Sequence, residues 1–277
     1  MGFRSTLKKA NRYLRRILGN HDFWKNLIPN FKNSFNFKDE PIIICGCPRS
    51  GTTLLMAILD SHPEIHVIPF ETMLFQKITG RYSKNQRMNK AISRIFFWLV
   101  LFTSKIKPGA KRWAEKTPLN VLNLDQIIDH FSKDVKIINV IRDGRAVTSS
   151  NHQSLGQFVT PELWKKCIIS GMNVSCPEVL FSLRYEDLVL SPESTLPDLS
   201  KFLDLGTPFK LDEIFSHSGI NGEMKNQVTG KVGVSRVNPF WDKKSIKSWS
   251  NATTSKNLKV FLSDQEAVNL NLSLGYV

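Results

Sequence analysis

An apolar run that breaks at a glycine and resumes as a helical pattern constrains this chain more than any other stretch. In Pro41-Ile-Ile-Ile-Cys-Gly-Cys-Pro-Arg-Ser-Gly-Thr-Thr-Leu-Leu55, Ile42 to Cys45 read as a buried strand and Gly46-Cys47-Pro48 as a turn. A helix opening near Gly51 would aim its unpaired N–H groups and the positive end of its dipole into the turn, which is the outline of a phosphate-binding loop. The spacing from Gly46 to Gly51 matches the Walker pattern G-x-x-x-x-G-K-[ST], yet Thr52 stands where the lysine belongs and Arg49 has entered the loop. The loop resembles that of an ATPase without being one.

The elements that follow alternate. Leu54, Leu55, Ile58 and Leu59 keep a helical period until Asp60-Ser-His-Pro63, where proline stops it. Ile65 to Ile68 reads as a second strand ending at Pro69-Phe70-Glu71-Thr72, so Glu71 stands at a strand's carboxyl end, where open α/β sheets gather their ligands. Residues 73–107 read as helical, and their apolar run Ile95 to Phe102 is too short to span a bilayer. Ala114 to Asn120 reads as a polar turn leading into a helix through Phe131, with Pro118 in its first turn and Lys116 just before it. Val135 to Ile141 is a β-branched strand stopped by Arg142-Asp-Gly-Arg145, and a helix from Ala146 carries Ser149 and Ser150 two turns in. Val179 to Leu183 reads as another buried strand, running into Arg184-Tyr-Glu-Asp-Leu188. Such alternation predicts an α/β, three-layer P-loop-type fold with a mainly parallel central sheet flanked by helices. No repeat or linker divides it, so residues 1–40 form a basic amphipathic segment and 41–277 one domain.

Charge narrows the partners. The 38 Lys+Arg against 24 Asp+Glu give a formal +14, which favours nucleic acid, anionic lipid, or a phosphorylated or sulfated ligand without choosing among them. Phe3, Leu7, Ala10, Leu14 and Leu18 recur at helical spacing among Lys8, Lys9, Arg12, Arg15 and Arg16. That pattern is either a peripheral membrane contact through residues 1–18 or a solvated helix packed on the domain. Cys45, Cys47, Cys167 and Cys176 are too few and irregular for a disulfide framework or zinc site and read as buried free thiols, with Cys167 and Cys176 as possible neighbours. His62 and His66 read as polar loop residues. Asn173, Asn251 and Asn271 begin N-x-[ST] triplets that mean nothing without entry into a secretory compartment.

A second anion site completes the pattern. Arg142, at a strand end, offers a forked charge, and Ser150, eight residues on, a hydroxyl. Two such sites at the ends of neighbouring strands suit a nucleotide with phosphates at both its 5′ and 3′ positions. Cys47-Pro-Arg-Ser-Gly-Thr-Thr-Leu54, Val140-Ile-Arg-Asp-Gly-Arg145 with Ser150, and Arg184-Tyr-Glu-Asp-Leu188 resemble the PAPS-dependent sulfotransferases over most of residues 41–277. The nearest likeness is to the protein-tyrosine sulfotransferase-like group, through Asp60-Ser-His-Pro-Glu64, the Glu71-Thr72 pair and Lys116 before a proline turn. The resemblance implies that Arg49, Ser50, Gly51, Thr52 and Thr53 hold the 5′-phosphosulfate of 3′-phosphoadenosine 5′-phosphosulfate (PAPS). Arg142 and Ser150 would hold its 3′-phosphate, and Tyr185 would lie near the base. It also makes Glu71 the base, with Lys116 and Arg49 as cations on the transferring group, and places Arg236, Ser245 and Trp249 where relatives close over the nucleotide. Around Glu71 the sequence departs from the group, with Ile68-Pro-Phe70 replacing a more polar approach and one residue inserted.

The chemistry is consistent with those roles. Sulfuryl transfer needs an acceptor oxygen in line with the leaving phosphate and positive charge where the bridging oxygen gathers electrons. Arg49, Lys116 and the loop N–H groups supply that field with no metal expected, and a carboxylate takes the acceptor's proton. The expectation is a sulfotransferase that releases PAP and acts on a hydroxyl of a carbohydrate, a peptide tyrosine or a small molecule, with no nucleic-acid partner. Relatives that act in the Golgi carry an N-terminal spanning helix, and with none visible here the expected place is the cytoplasm, with membrane association through the N-terminal segment. One rival is a P-loop kinase or nucleotide hydrolase, against which the missing Walker lysine argues. The other is a non-catalytic polyanion- or membrane-surface-binding protein on the same fold. Residue by residue, the rival roles are a surface charge for Lys116, a helix N-terminal carboxylate for Glu71 and core packing for Tyr185.

Overall fold

A computed structural model describes residues 18–19, 21–75, 95, 97–102, 104–152, 155–216, 224–225, 232–233, 243–252 and 254–277. Nearly all of the amphipathic segment 1–18, most of the expected helix 73–107 and Arg236 lie outside the described residues.

Five strands form the central sheet: β1 (Ile42–Gly46), β2 (Ile65–Val67), β3 (Arg112–Lys116), β4 (Lys136–Ile141) and β5 (Leu180–Arg184). Their order is β2-β3-β1-β4-β5, and every neighbouring pair is parallel. The chain leaves β1 towards β2 and β3 on one side, then crosses to β4 and β5 on the other. The switch point therefore lies over β1, and ligands of open parallel sheets sit at such a point beyond the strands' carboxyl ends.

Side chains alternate between the two faces with the strand period. Ile42, Ile44, Ile138 and Val140 pack with Leu54, Leu55, Ile58 and Leu199 from the helices Thr52–Ser61 and Pro192–Phe202. Ile43, Cys45 and Ile137 pack on the opposite face with Ile127, Trp164, Cys167 and Phe261. Those partners come from the helices Leu124–His130, Pro161–Met172 and Lys256–Ser263. Both faces are covered, which is the three-layer arrangement expected.

The sequence-based boundaries of β1, β2, β4 and β5 hold to within about a residue at each end, but β3 does not follow expectation. Ala114 to Lys116, read as the opening of a polar turn, are the end of a strand between β1 and β2. Three of its five residues are charged, and each buried charge finds a partner far away in sequence. Arg112 meets Asp39 at 3.3 Å, Lys116 meets Glu71, and Glu115 accepts bonds from Thr72, Thr117 and Asn120. Burying such groups is tolerable only when they are paired. A second correction concerns Ser150: the preceding helix, Gly144–Ser149, is six residues long, and Ser150 lies beyond its end in extended backbone rather than two turns within it.

Buried thiols and buried polar side chains complete the picture. All four cysteines are free and buried, and the thiol hydrogen-bonded to Cys167 is that of Cys47, whose pKa burial pushes up. Asn271, the head of an apparent glycosylation triplet, is buried: its Oδ1 accepts from the Gly144 N–H at 2.8 Å and its Nδ2 donates to Asp143 Oδ1 at 3.2 Å. His62 and His66 are likewise buried, His62 against the Thr207 carbonyl and His66 within β2 beside Ser104. Burial lowers both pKa values, that of His66 to about 4, with the Asp60 carboxylate pulling it upward and the Lys107 ammonium downward.

A histidine held neutral in the native state contributes stability above its unfolded pKa and loses it as pH falls towards its folded pKa. Between pH 7 and 4.5, His66 alone should cost the fold about 2–3 kcal/mol. Urea denaturation across that range should show the decline, and His66→Gln should remove its share while leaving that of His62.

Candidate active site

The carboxyl ends of four strands bring the site together. Register sets Ile44 beside Lys116, Gly46 beside Val140 and Ile141 beside Arg184, so Lys116, the loop after Gly46, Arg142 and Tyr185 follow one another along a single sheet edge.

In the first loop the backbone is bent to bring its own groups inward. Gly46 has φ of +146°, and a Cβ there would stand 2.4 Å from the Val140 carbonyl oxygen. Arg49 holds φ of +73° without being glycine, a conformation that costs of order 1–3 kcal/mol and collects at functional sites. Gly51 has φ of +101° and lies so close to Tyr185 that a Cβ would come within 2.2 Å of the ring. No side chain caps the helix Thr52–Ser61, which starts here with Thr52 buried and Thr53 half-buried. The Ser50 hydroxyl is buried without a hydrogen-bond partner.

Across this loop lies Arg142. Its Nη1 donates to the Arg49 carbonyl at 3.1 Å and its Nη2 to the Ser245 carbonyl at 2.6 Å, while its guanidinium stacks 4.2 Å above the Tyr185 ring. The Tyr185 hydroxyl lies 2.7 Å from Ser245 Oγ. Tyr185 is thus both core and site wall. Ser150 meets Arg49, whose Nε donates to its Oγ at 2.9 Å, so the expected Arg142 and Ser150 pair is joined through Arg49. Burial and the neighbouring Arg142 charge both push the Arg49 pKa down. Two guanidinium groups held together in a half-buried cleft repel each other, and an anion between them relieves the repulsion.

On the far side of β1, Lys116 and Glu71 meet as an ion pair, Nζ to Oε1 at 2.6 Å, with the lysine almost wholly buried and the carboxylate about one-third exposed. Sequence reasoning missed what holds them. Glu115, fully buried, accepts from the Thr72 N–H and hydroxyl, the Thr117 hydroxyl and the Asn120 amide. Its pKa is raised by burial against the opposing pull of the Thr117 and Thr72 bonds and of the Lys116 charge. Thr72 follows Glu71 and Thr117 follows Lys116, so one carboxylate fixes both flanks of the pair. Missed as well were Glu186, which accepts from the Asp143 N–H and the Tyr276 hydroxyl, and Trp164, whose indole N–H holds the Arg142 carbonyl. Only Glu186 lay within a motif; Trp164 and Tyr276 carry no local signal.

A model of the Sulfotransferase family matches residues 41–208. The chain belongs to the sulfotransferase family. It is 29% identical to a protein-tyrosine sulfotransferase of Drosophila melanogaster over 62% of this chain and 39% of that one. It is also 29% identical to protein-tyrosine sulfotransferase 1 of Danio rerio, over 72% of this chain and 61% of the other. The chain therefore spans about half the length of the curated relatives it matches. Among solved structures, the sulfotransferase domain of the Synechococcus PCC 7002 olefin synthase aligns with TM-score 0.53 and 18% identity over 87% of this chain and 97% of that one. The sulfotransferase domain from the curacin biosynthetic pathway does so with TM-score 0.53 and 19% identity, over 86% and 98%. At that identity the likeness speaks to the fold, a mainly parallel sheet flanked by helices.

Gly51 gives the sharpest test of how this member of the family builds its cleft. Gly51→Ala combines a left-handed backbone with a clash against Tyr185 and should lower stability by about 1–3 kcal/mol or more. Chemical denaturation measures the loss, and Tyr185→Ala, which empties a core position, should cost less in the Gly51→Ala background than in the parent because it also removes the clash.

Proposed function

We propose that this sulfotransferase moves a sulfuryl group from PAPS to the oxygen of a hydroxyl acceptor, with residues 41–277 as the transferase domain. The observation that carries the reading is the pair of arginines at the start of an uncapped helix, Arg142 bonded to the Arg49 carbonyl and Arg49 to Ser150, with the Lys116–Glu71 pair at the end of the neighbouring strand. The groups fit an anionic nucleotide: Ser50 Oγ and Arg142 Nε are buried polar atoms without partners, and Gly51 leaves the backbone bare of side chain. Arg49, Ser50, Gly51, Thr52 and Thr53 would hold the phosphosulfate, Arg142 and Ser150 the 3′-phosphate, and Tyr185 would border the base.

PAPS brings a sulfuryl group already attached to a phosphate leaving group. The chain's own residues then have two tasks. Glu71, the half of the pair that reaches solvent, takes the proton of the acceptor hydroxyl. Taking it removes the negative charge that holds Lys116, and the ammonium becomes available to the oxygen on which charge accumulates. Arg49 shares that role from the other side, and Glu115 keeps Thr72 and Thr117 from drifting. The names of the relatives favour a protein tyrosine as the first acceptor to try, and the apolar approach Ile68-Pro-Phe70 favours testing small phenols and sugars beside it. Thr52 in the Walker lysine position leaves the kinase reading without its phosphate-binding cation.

Thermal melting with PAP tests the donor half. A ligand at a hundred times its dissociation constant stabilises by about 2.7 kcal/mol, a clear rise in Tm, and Arg142→Ala should erase most of it. No shift at saturating PAP would overturn the donor assignment. Turnover tests the base: Glu71→Gln should reduce it by roughly 10²–10⁴-fold while leaving the PAP shift intact. Full activity in that variant would place the base elsewhere.

A further inference from the structure

The helix His21–Ser34 presents an unusual face. Trp24, Ile28, Phe31 and Phe35 recur at intervals of four, three and four residues, which puts them along one side, and together with Trp98 they are between 45% and 71% exposed. Phe31 touches both Phe35 and Trp98, with ring centroids 4.9 and 6.1 Å apart. The Trp24 indole N–H is already taken by the Leu18 carbonyl, so that ring offers an apolar surface only.

The rotation of this helix is fixed from its other side. Asn30 is fully buried, its Nδ2 donating to the carbonyls of Phe102 and Ser104 and its Oδ1 accepting from the Ile106 N–H at 2.7 Å. Asn33 adds a bond to the Ile106 carbonyl at 3.1 Å. Specific polar bonds thus hold the inner side down and leave the aromatic side turned outward. Contiguous exposed apolar surface of this kind marks an interaction site.

Charge identifies the occupant. Lys25 and Lys32, next in sequence to Trp24 and Phe31, are exposed on the flank of the aromatic face, and Lys38 is exposed beyond the helix. Arg4, Lys8, Lys9, Arg12, Arg15 and Arg16 precede it in sequence, with no acid before Asp22. The nearby acids Asp39 and Glu40 both face Arg112. Lysine is depleted at protein–protein interfaces, whereas Trp and Phe on one side of a helix with lysines around them suit the headgroup region of an anionic bilayer. We propose that the helix His21–Ser34 and Trp98 form a docking surface for an anionic lipid membrane, with the aromatic rings entering the headgroup layer and the lysines meeting lipid phosphates. No described helix is long and apolar enough to cross a bilayer, and docking of this kind needs none.

The full chain, co-sedimented with vesicles of phosphatidylcholine alone or with about 30% phosphatidylserine, tests the surface. Binding should require the anionic lipid, weaken several-fold in high salt, and fall roughly tenfold or more in Trp24→Ser/Phe31→Ser. Both positions are exposed, and an unchanged melting temperature and PAP shift would show that fold and donor site are intact. Lipids brominated near the headgroup should quench the tryptophan fluorescence of the parent chain and do so less in the variant. Absence of binding to anionic vesicles, or equal binding by parent and variant, overturns the proposal. So does a concentration-dependent dimer, seen by sedimentation velocity, that the same substitutions abolish, since the face would then cover a second copy.

Discussion

The stacking of Arg142 on Tyr185 holds the candidate site in one piece. A guanidinium over a tyrosine face is worth from about 0.5 to 2 kcal/mol, depending on how far both are withdrawn from water. Its structural reach is wider than its energy. Arg142 follows β4, Tyr185 follows β5, Gly51 presses on the tyrosine from the loop after β1, and the Arg49 and Ser245 carbonyls accept bonds from the arginine's two Nη groups. Three strands and a segment from the far end of the sequence are referred to one side chain. The arginine that would face an anion thus also sets the shape of the loop that would hold its other end.

The second half of the site follows a different rule. Lys116 and Glu71 are poised by a carboxylate that does not face them. Glu115 satisfies its oxygens with four donors, and these come from the residues immediately after Glu71 and Lys116 and from the following turn. A buried carboxylate is costly unless all its lone pairs are met, and once met it resists rearrangement. The backbone on either side of the Lys116–Glu71 pair is therefore held in place whatever the pair itself does.

Where the signal was local, the sequence was readable. β1 is a continuous apolar run ended by Gly46, β4 a run rich in β-branched residues ended by Arg142-Asp-Gly144, and the site residues follow directly from those endings. The Glu71 and Lys116 assignments came from family likeness, and the geometry brings them into contact. β3 was hidden because Arg112, Glu115 and Lys116 look like solvated charges until Asp39, Thr72 and Glu71 are seen beside them. The partnership of Ser150 was hidden for a related reason: a helix of only six residues, ending before the serine, turns it towards Arg49. His62 and His66 looked like loop residues because nothing adjacent in sequence says that Thr207 or Phe37 covers them.

The buried amide of Asn271 has a consequence for what braces the cleft. Through Gly144 and Asp143 it holds the turn after Arg142, and Tyr276 holds Glu186, the residue after Tyr185. The turn after the arginine and the start of the helix that carries its aromatic platform are thus braced by residues ninety or more positions further along. The pairings of the central sheet end with β5, so the cleft at its edge takes its bracing from residues that no strand of that sheet contains.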